Sequence, residues 1–221
     1  MTISSSPSGA SGDVTLDSYD AAAHVYLEQS VPPRPAVTAY LDAVAGLVGS
    51  GTVLELGSGP GWDADYLESR GPRVLRTDGA PAFVQMVKAT GHHARLLDVR
   101  VDDFGGPYDA VLADAVLLHV TREQFVDVLQ RARQAVASGG VLAMTLKEGD
   151  GEAWTEAKLG TSPTGVAPQS APHCWIPAGR SSRSSMSPGA SSPGSSSLPG
   201  PVRCLASCLG VPSDDRPPAH S

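Results

Sequence analysis

The stretch Val53–Gly61 constrains this chain more than any other part of its sequence. Its apolar run carries one acid, Glu55, and then breaks into a turn with glycine at alternate positions, Gly57, Gly59 and Gly61. A buried strand that ends in such a turn and opens a helix brings backbone N–H groups close to a ligand, because no Cβ stands in the way. The acid at the strand end would repel a pyrophosphate and attract a cationic ligand.

Strand-like and helix-like segments alternate over residues 13–160, at a spacing typical of βαβ units. The sequence therefore predicts an α/β domain with a Rossmann-like parallel sheet over this range, preceded by a disordered arm over residues 1–12. The predicted strands are Thr52–Leu56, Arg73–Thr77, His93–Leu97, Tyr108–Ala113 and Val141–Leu146. The predicted helices cover about Ala21–Gln29, Pro35–Leu47, Trp62–Glu68, Ala82–Ala89 and Arg122–Val136.

Residues 161–221 differ sharply in composition from the rest of the chain. They contain 15 serines and 11 prolines, no lysine and no glutamate, and they show no hydrophobic period. Such a segment cannot bury enough apolar surface to offset its chain entropy, so a disordered tail is predicted after a helix-like block at Glu152–Leu159. The tail is either a genuine extension of the protein or a stretch translated in a shifted reading frame. All three cysteines lie in it, and neither a metal site nor a disulfide is predicted for them.

Charge and hydropathy exclude several kinds of partner. The net charge is −7 and no cluster of lysine and arginine occurs, which argues against binding to nucleic acid or to an anionic membrane surface. No apolar run approaches the roughly 18 residues of a membrane-spanning helix, and the polar N-terminus lacks the features of a secretory signal. A cytoplasmic location is therefore predicted.

Acidic residues recur where the predicted strands end. Glu55, Asp78, Asp98 and Asp114 lie at or near the ends of the first, second, third and fourth strands. Ligands of an open parallel sheet bind at the carboxyl ends of its strands. Asp78 follows the glycine turn by about 20 residues, the spacing of an acid that binds the hydroxyls of a ribose. The whole set suits adenosine joined to a positively charged group better than it suits a dinucleotide.

Taken in order, these segments resemble the motifs of class I S-adenosylmethionine-dependent methyltransferases. Val53–Gly61 has the E-x-G-x-G-x-G form of the family's first motif, Tyr108–His119 resembles the fourth, and Gly139–Lys147 resembles the strand after it. The resemblance covers about residues 18–160. It implies a sheet of strand order 3-2-1-4-5, S-adenosylmethionine as cofactor, and methyl transfer to an acceptor that we expect to be a small molecule. The family's final antiparallel hairpin is expected to be absent, because the resemblance stops near Gly160.

The resemblance also implies which residues contact the cofactor. Asp78 stands at the position of the ribose-binding acid, and Asp98 with Val99 stands at the position that approaches adenine. No catalytic residue is universal in the family, so His119, just beyond the fourth strand, is only a candidate base or substrate contact. The expected cofactor-binding set is Glu55, Gly57, Ser58, Gly59, Gly61, Asp78, Asp98, Val99 and Asp114.

Other roles stay open for these residues and for the chain. Asp78 and Asp114 could cap helices, Asp98 could serve a plain turn, and His119 could be structural. The chain could also be a cofactor-binding remnant that lost catalysis with its last strands. An oxidoreductase that binds NAD is a further alternative, although Glu55 and the glycine spacing speak against it.

Overall fold

The computed structural model of the 221-residue chain describes residues 13–29, 35–148, 152–157, 160–167 and 202–209. The predicted arm, residues 1–12, lies outside the described residues, as does most of the predicted tail. None of the described helices combines the length and the apolar character needed to cross a bilayer.

Over residues 13–148, helices and strands follow one another in the order that the sequence predicts. The helices are α1 (Asp13–Gln29), α2 (Pro35–Val48), α3 (Trp62–Ser69), α4 (Pro81–Ala89) and α5 (Arg122–Ala135), with a 3₁₀ turn at Leu117–His119. The strands are β1 (Thr52–Leu56), β2 (Arg73–Asp78), β3 (Ala94–Leu96), β4 (Tyr108–Ala113), β5 (Val136–Glu148), β6 (Glu152–Ala157), β7 (Gly160–Ala167) and β8 (Arg203–Leu209).

Local sequence explains where two of these helices begin. Pro81 occupies the first turn of α4, where its fixed φ suits a helix and its missing N–H has no intrahelical partner to lose. Thr121 precedes α5 and accepts the Gln124 N–H, while the Gln124 side chain accepts the Thr121 N–H. This reciprocal capping box satisfies two N–H groups that the helix itself leaves unbonded.

Five parallel strands form the centre of the sheet, in the order β3-β2-β1-β4-β5. This order confirms the predicted fold class and the predicted 3-2-1-4-5 arrangement. The chain reverses its direction of travel across the sheet between β3 and β4, so β1 and β4 lie side by side although β2 and β3 separate them in sequence. The crevice outside the carboxyl ends of these two strands is where an open sheet of this kind binds its ligand.

Alternate residues of each central strand enter two different cores, one on each face of the sheet. Leu54 of β1 and Val111 of β4 pack with the apolar side of α5. Val53 and Leu112, their neighbours in sequence, pack with α2 and α3 on the opposite face. Because both faces of these strands are covered, their sequences are mostly apolar, with Glu55 of β1 and Asp109 of β4 as the acidic exceptions.

Beyond β5 the structure contradicts three expectations. The block at Glu152–Leu159 is not helical, since β6 occupies residues 152–157 and pairs antiparallel with β7. The expected absence of a hairpin is therefore wrong, and so is the expectation that residues 161–221 contain no strand. Composition averaged over the tail concealed Arg203–Leu209, a proline-free stretch that pairs with β5 from Val141 to Lys147. An open strand edge offers unpaired N–H and C=O groups that such a stretch can satisfy.

The pairing registers place β7 at the carboxyl end of the sheet. Val141–Met144 of β5 pair with both β4 and β8, so β4 and β8 lie on opposite edges of β5. Lys147 pairs with both β8 and β7, so β7 lies on the β4 side of β5, past the end of β4. There β7 packs near α1 and the 3₁₀ turn, and the β6–β7 hairpin borders the ligand-binding edge.

We predict that β8 contributes measurably to stability. Val202 and Cys204 pack against the core under α5, and Leu205 packs against the opposite core. A chain that ends at Pro201 should have a free energy of unfolding lower by roughly 2–4 kcal/mol than a chain that ends at Leu209, because these apolar contacts are lost. Urea denaturation of both chains measures the difference. The chain ending at Leu209 is the matched control, and equal stability of the two would contradict the pairing of β8 with β5.

Candidate active-site cleft

The turn between β1 and α3 has the glycine conformations that its sequence predicts. Gly57, Gly59 and Gly61 have φ values of +65°, +50° and +92°, a region that residues with a Cβ rarely enter. A Cβ on Gly57 would also collide with the side chain of Val116. The turn therefore presents bare backbone toward the space beyond the strand ends.

Ser58 fastens this turn to the neighbouring strand. The Ser58 N–H donates to the Thr77 carbonyl at 2.8 Å, and the Ser58 hydroxyl accepts the Thr77 N–H at 3.0 Å. The Thr77 hydroxyl in turn donates to the Glu55 carbonyl at 2.6 Å. Ser58 thus supports the turn, and it is not among the residues that line the cleft.

Asp78, at the end of β2, locks the turn from the other side. Its carboxylate accepts the N–H groups of Gly59 and Ala80, both at 2.8 Å, and that of Gly79. Burial raises the pKa of Asp78, and the three N–H groups oppose that rise because they stabilise the charged form. The bond to Ala80, which precedes α4, also gives Asp78 part of the capping role that the sequence left open.

A single cleft gathers most of the predicted residues at the carboxyl ends of the strands. Of the predicted set, Gly57, Gly59, Asp78, Asp98, Val99, Asp114 and His119 line it, whereas Glu55, Ser58 and Gly61 do not. The complete lining is Thr15, Leu16, Tyr19, Tyr26, Gly57, Gly59, Asp78, Gly79, Phe83, Leu97, Asp98, Val99, Arg100, Asp114, Ala115, Val116, His119 and Val120.

Asp98 lines the cleft, but its carboxylate is already committed to Arg100. The Arg100 guanidinium donates to both Asp98 oxygens at 2.6–3.1 Å, and the Arg100 N–H donates to one of them at 2.9 Å. Burial alone would raise the pKa of Asp98, but the bonds from Arg100 outweigh it and lower that pKa. The lone pairs of Asp98 are therefore largely occupied by its neighbour.

Asp114 lies at the end of β4 in a strained segment. The Thr145 hydroxyl donates to the Asp114 carboxylate and accepts the Ala115 N–H at 2.7 Å. Ala115 has a φ of +53°, in the left-handed region that costs a residue with a Cβ about 1–3 kcal/mol. The bonds to Thr145 hold this conformation where β4 opens into the cleft.

Asp63 is a residue of this site that the sequence reasoning missed. It lies in the first turn of α3, near enough to Asp114 and Glu55 for their charges to act on it. Burial raises the pKa of Asp63 to about 8, with further contributions from Asp114 and Glu55. Its position in the sequence could have indicated this, because side chains in the first turn of a helix point back toward the helix start, which here is the glycine turn.

Glu55 lies behind the cleft and not in it. Only 3% of its surface is exposed, and its Oε2 has no hydrogen-bond partner within the described residues. Burial raises the pKa of Glu55 to about 7, although a bond from Ser58 and the charge of Arg76 oppose that rise. The acid of the first motif therefore lies beneath the turn and becomes negatively charged only as the pH rises through about 7.

Aromatic side chains form the wall opposite the glycine turn. Tyr19 packs edge-on to Tyr26 and to His119 and at a tilt to Phe83, and Tyr26 packs edge-on to Phe83, with ring centroids 5.2–6.4 Å apart. The Tyr19 hydroxyl and His119 Nε2 share a hydrogen bond of 3.2 Å. Burial raises the pKa of Tyr19 to about 12, so its phenol stays protonated at neutral pH. The two tyrosines thus both pack and line the cleft.

A second group of polar side chains, Asp65, Glu68 and His92, lies close together outside the cleft. The buried Arg76 guanidinium donates to Asp65 and Glu68, each at 2.7 Å. These bonds fasten α3 to β2, and the arginine already supplies the positive charge that a metal ion would bring.

Comparison with known proteins identifies what this arrangement is similar to. Residues 54–144, from β1 to β5, match the family described as a methyltransferase domain. No sequence among curated proteins matches the chain significantly.

Several solved structures share the fold. The DhpI–SAM–HEP complex aligns with a TM-score of 0.60 at 24% identity, over 75% of this chain and 86% of that chain. The CcbJ methyltransferase from Streptomyces caelestis aligns with a TM-score of 0.52 at 25% identity, over 62% of each chain. The Burkholderia thailandensis 1,6-didemethyltoxoflavin-N1-methyltransferase aligns with a TM-score of 0.54 at 19% identity, over 74% of this chain and 76% of that chain.

The raised pKa values of Glu55 and Asp63 predict an unusual pH dependence of stability. Both acids hold their protons to higher pH in the folded chain than in the unfolded chain, so each stabilises the fold at low pH and loses that contribution as pH rises toward 7–8. Each proton involved changes the free energy of unfolding by about 1.4 kcal/mol per pH unit.

We therefore expect the melting temperature of the wild-type protein to fall between pH 5.5 and 8.5. The melting temperature of the Asp63→Asn variant should fall less and should lie above that of the wild type at pH 8.5, because asparagine removes the charge that burial disfavours. Asp127→Asn, an exposed acid on α5, is the matched control and should follow the wild type. Parallel curves for D63N and the wild type would show that the Asp63 pKa is not raised.

Proposed function

Because residues 54–144 belong to the methyltransferase-domain family and the sheet is that of class I enzymes, we propose that this protein binds S-adenosylmethionine and methylates a small-molecule acceptor. Structures with the same fold support the cofactor, since one is a complex with SAM and another holds S-adenosylhomocysteine. The acceptor bound in the latter, 1,6-didemethyltoxoflavin, supports a small molecule as the acceptor class.

The observation that carries the proposal is the locked glycine turn beside a cleft of negative potential. Asp78 and Asp114 line the cleft, and Glu55 and Asp63, which do not line it, add negative charge as the pH rises through about 7–8. Arg100 is the only lysine or arginine among the described lining residues, and Asp98 neutralises it. Such a cleft disfavours a pyrophosphate and favours a ligand with a sulfonium and an ammonium group.

Each part of the cofactor has a suitable partner in the cleft. The bare backbone of Gly57 and Gly59 would meet its amino-acid portion, and the Asp78 carboxylate would accept the ribose hydroxyls. Leu97 and Val99 offer apolar contact to the adenine. A contact between adenine and the Asp98 carboxylate would have to displace a bond from Arg100. Tyr26 across the cleft offers an aromatic ring of the kind that attracts cations.

The cofactor, when bound, supplies a methyl group that its sulfonium already activates for displacement. The protein's residues chiefly align the acceptor with that group and exclude water, and such alignment contributes up to roughly 7–11 kcal/mol. An acceptor atom that carries a proton must also lose it, which requires a base within reach. His119 lines the cleft and is positioned by Tyr19, so it is our candidate for that base.

Replacement of Asp78 tests the cofactor site. Asp78→Asn should weaken the binding of S-adenosylmethionine and S-adenosylhomocysteine by about 1–3 kcal/mol, the usual cost of losing a charged hydrogen-bond acceptor. Asp78→Ala should weaken it further, because the turn also loses its bond at Gly59. Isothermal titration calorimetry measures both.

The chain offers a matched control for this experiment. Asp109 also accepts a backbone N–H, that of Thr52 at 2.7 Å, but at the opposite end of the strands. Asp109→Asn should bind the cofactor as the wild type does. Tight binding of NAD by the wild type, or unchanged affinity in D78N, would refute the assignment of this cleft to S-adenosylmethionine.

His119 is tested by the rate of methyl transfer once an acceptor is available. His119→Asn should slow transfer about 10²–10⁴-fold, the usual contribution of a general base, while cofactor affinity stays within a few-fold of the wild type. The measurement needs single-turnover kinetics, which separate transfer from binding. Transfer at the wild-type rate would remove His119 from this role.

A further inference from the structure

The loop that follows β3, residues 98–104, forms one wall of the cleft. Three of its residues line the cleft, Asp98, Val99 and Arg100. The loop belongs to neither a helix nor a strand, so individual hydrogen bonds fix its shape. The Asp98 carbonyl accepts the N–H groups of Val101 and Asp102 at 3.2 and 3.0 Å, and the Asp102 carboxylate accepts the Asp98 N–H at 2.8 Å. These bonds close the turn on itself but do not join it to α5.

Arg131 of α5 makes that connection. Its Nη2 donates to the carbonyl oxygens of Val99 and Arg100, both at 2.7 Å, and its Nη1 donates to the carbonyl oxygen of Asp102 at 3.1 Å. A guanidinium presents its N–H groups in a rigid planar fork, so it fixes the relative positions of several acceptors, whereas lysine offers a single flexible nitrogen. Arg131 therefore fastens the cleft-facing turn to a helix of the core.

The far end of the loop is fixed in the core at Phe104. This ring is 1% exposed and packs in the core under α5, and Cζ of Arg131 lies 5.3 Å from its centroid. A cation over an aromatic face is attracted by the ring, which adds to the hydrogen bonds. The Phe104 carbonyl also accepts donors from Arg95 and Tyr108, at 3.1 and 3.0 Å. A fixed part of the loop thus positions Arg131, and Arg131 in turn positions the part that faces the cleft.

The bond from Arg131 to Val99 acts on Asp98 through one peptide unit. The Val99 carbonyl and the Arg100 N–H belong to the same planar peptide, so a bond that holds the carbonyl also holds the N–H. That N–H donates to Asp98 Oδ1 at 2.9 Å. Arg131 itself is not among the residues that line the cleft. Its influence on a ligand therefore passes through the Asp98 carboxylate and the Val99 side chain, which do line it.

The Asp98 carboxylate has one weakly held position that a further donor could take. The Arg100 Nε–H is shared between the two carboxylate oxygens, at 2.8 Å to Oδ1 and at 3.1 Å to Oδ2. An amino group could replace the longer branch while the other bonds from Arg100 persist. Adenine carries such an amino donor at C6, whereas hypoxanthine carries there a carbonyl oxygen, which a carboxylate repels. The placement of this carboxylate therefore determines which base the loop accepts.

We propose that Arg131 is a positioning residue for the adenine end of the cleft, which holds the Asp98 carboxylate where it selects a base with a 6-amino group. This role rests on the proposed function, since it requires that S-adenosylmethionine binds in this cleft. Without Arg131 the Val99–Arg100 peptide can rotate, because the turn's own bonds do not involve the Val99 carbonyl. A loop that keeps the selecting arrangement about one-tenth of the time binds an adenine ligand about tenfold more weakly.

Calorimetry with two ligands tests this role. The wild type, Arg131→Gln and Arg133→Gln are titrated with S-adenosylhomocysteine and with S-inosylhomocysteine, in which hypoxanthine replaces adenine. Arg133 is exposed on the same helix and provides the matched control. The titration gives the stoichiometry as well as the affinity, so a fraction of unfolded protein is distinguished from weaker binding.

We expect the wild type and R133Q to bind S-adenosylhomocysteine more tightly than S-inosylhomocysteine. R131Q should bind S-adenosylhomocysteine about tenfold more weakly, at unchanged stoichiometry. Its affinity for S-inosylhomocysteine should change much less, because that ligand makes no bond that depends on the Asp98 carboxylate. The preference for adenine should therefore shrink by about the same factor.

Two results would overturn the inference and leave the proposed function intact. One is an equal loss of affinity for both ligands in R131Q, or no loss at all, which a residue that only stabilises the fold would give. The other is a wild type that binds both ligands equally well. Failure of the wild type to bind either ligand would instead overturn the proposed function itself.

Arg131→Lys decides the question if R131Q does not fold. Lysine retains the positive charge near Phe104 but not the fork, so R131K should also bind S-adenosylhomocysteine more weakly and with a reduced preference for adenine. Amide hydrogen exchange adds a measurement without ligand. Peptides that cover residues 98–104 should exchange faster in either variant than in the wild type, whereas peptides of the glycine turn should not. Wild-type affinities in R131K, or unchanged exchange in this loop, would refute the positioning role.

Discussion

Asp78 accepts N–H groups from Gly59, Gly79 and Ala80, and these bonds join the turn after β1 to the turn after β2. The glycine turn has positive φ values and belongs to neither a helix nor a strand, so no regular hydrogen-bond pattern fixes its shape. Its shape depends instead on the groups that hydrogen-bond to it. Ser58 and Thr77 hold one side of it, and Asp78 holds the other. The start of α3, the start of α4 and the floor of the cleft take their positions from this junction.

The cleft keeps features that a purely structural domain would avoid. Ala115 is held at a left-handed φ, Glu55 is buried with an oxygen that no described residue bonds, and burial raises the pKa of Asp63 to about 8. Each of these costs folding free energy, and a bound cation relieves the electrostatic ones. Their concentration at one end of two adjacent strands supports a binding site, because strain and perturbed acids cluster where ligands are recognised.

The far side of the sheet shows how a short stretch of sequence can acquire structure from its context. β5 would present an open edge without β8, and Arg203–Leu209 covers it by pairing through seven positions. Apolar residues next to and within β8 extend both cores, Cys204 on one face and Leu205 on the other. Composition predicted a tail without strands, since serine and proline dominate its average. The average was a poor guide to seven residues that contain no proline.

The features that the sequence determined by itself are formed by residues close to one another along the chain. The glycine turn and the acids at the strand ends follow from periodicity and from spacings of about 20 residues, because strand, turn and helix are each formed by neighbours. The order of the first five strands was implied by the resemblance to class I methyltransferases. The tertiary structure alone decided the long-range contacts. Tyr19 meets His119 across 100 positions, and Asp114 meets Thr145 across 31 positions. No pattern in one chain encodes these pairings, since each depends on how separate elements pack and on which charges that packing leaves facing one another.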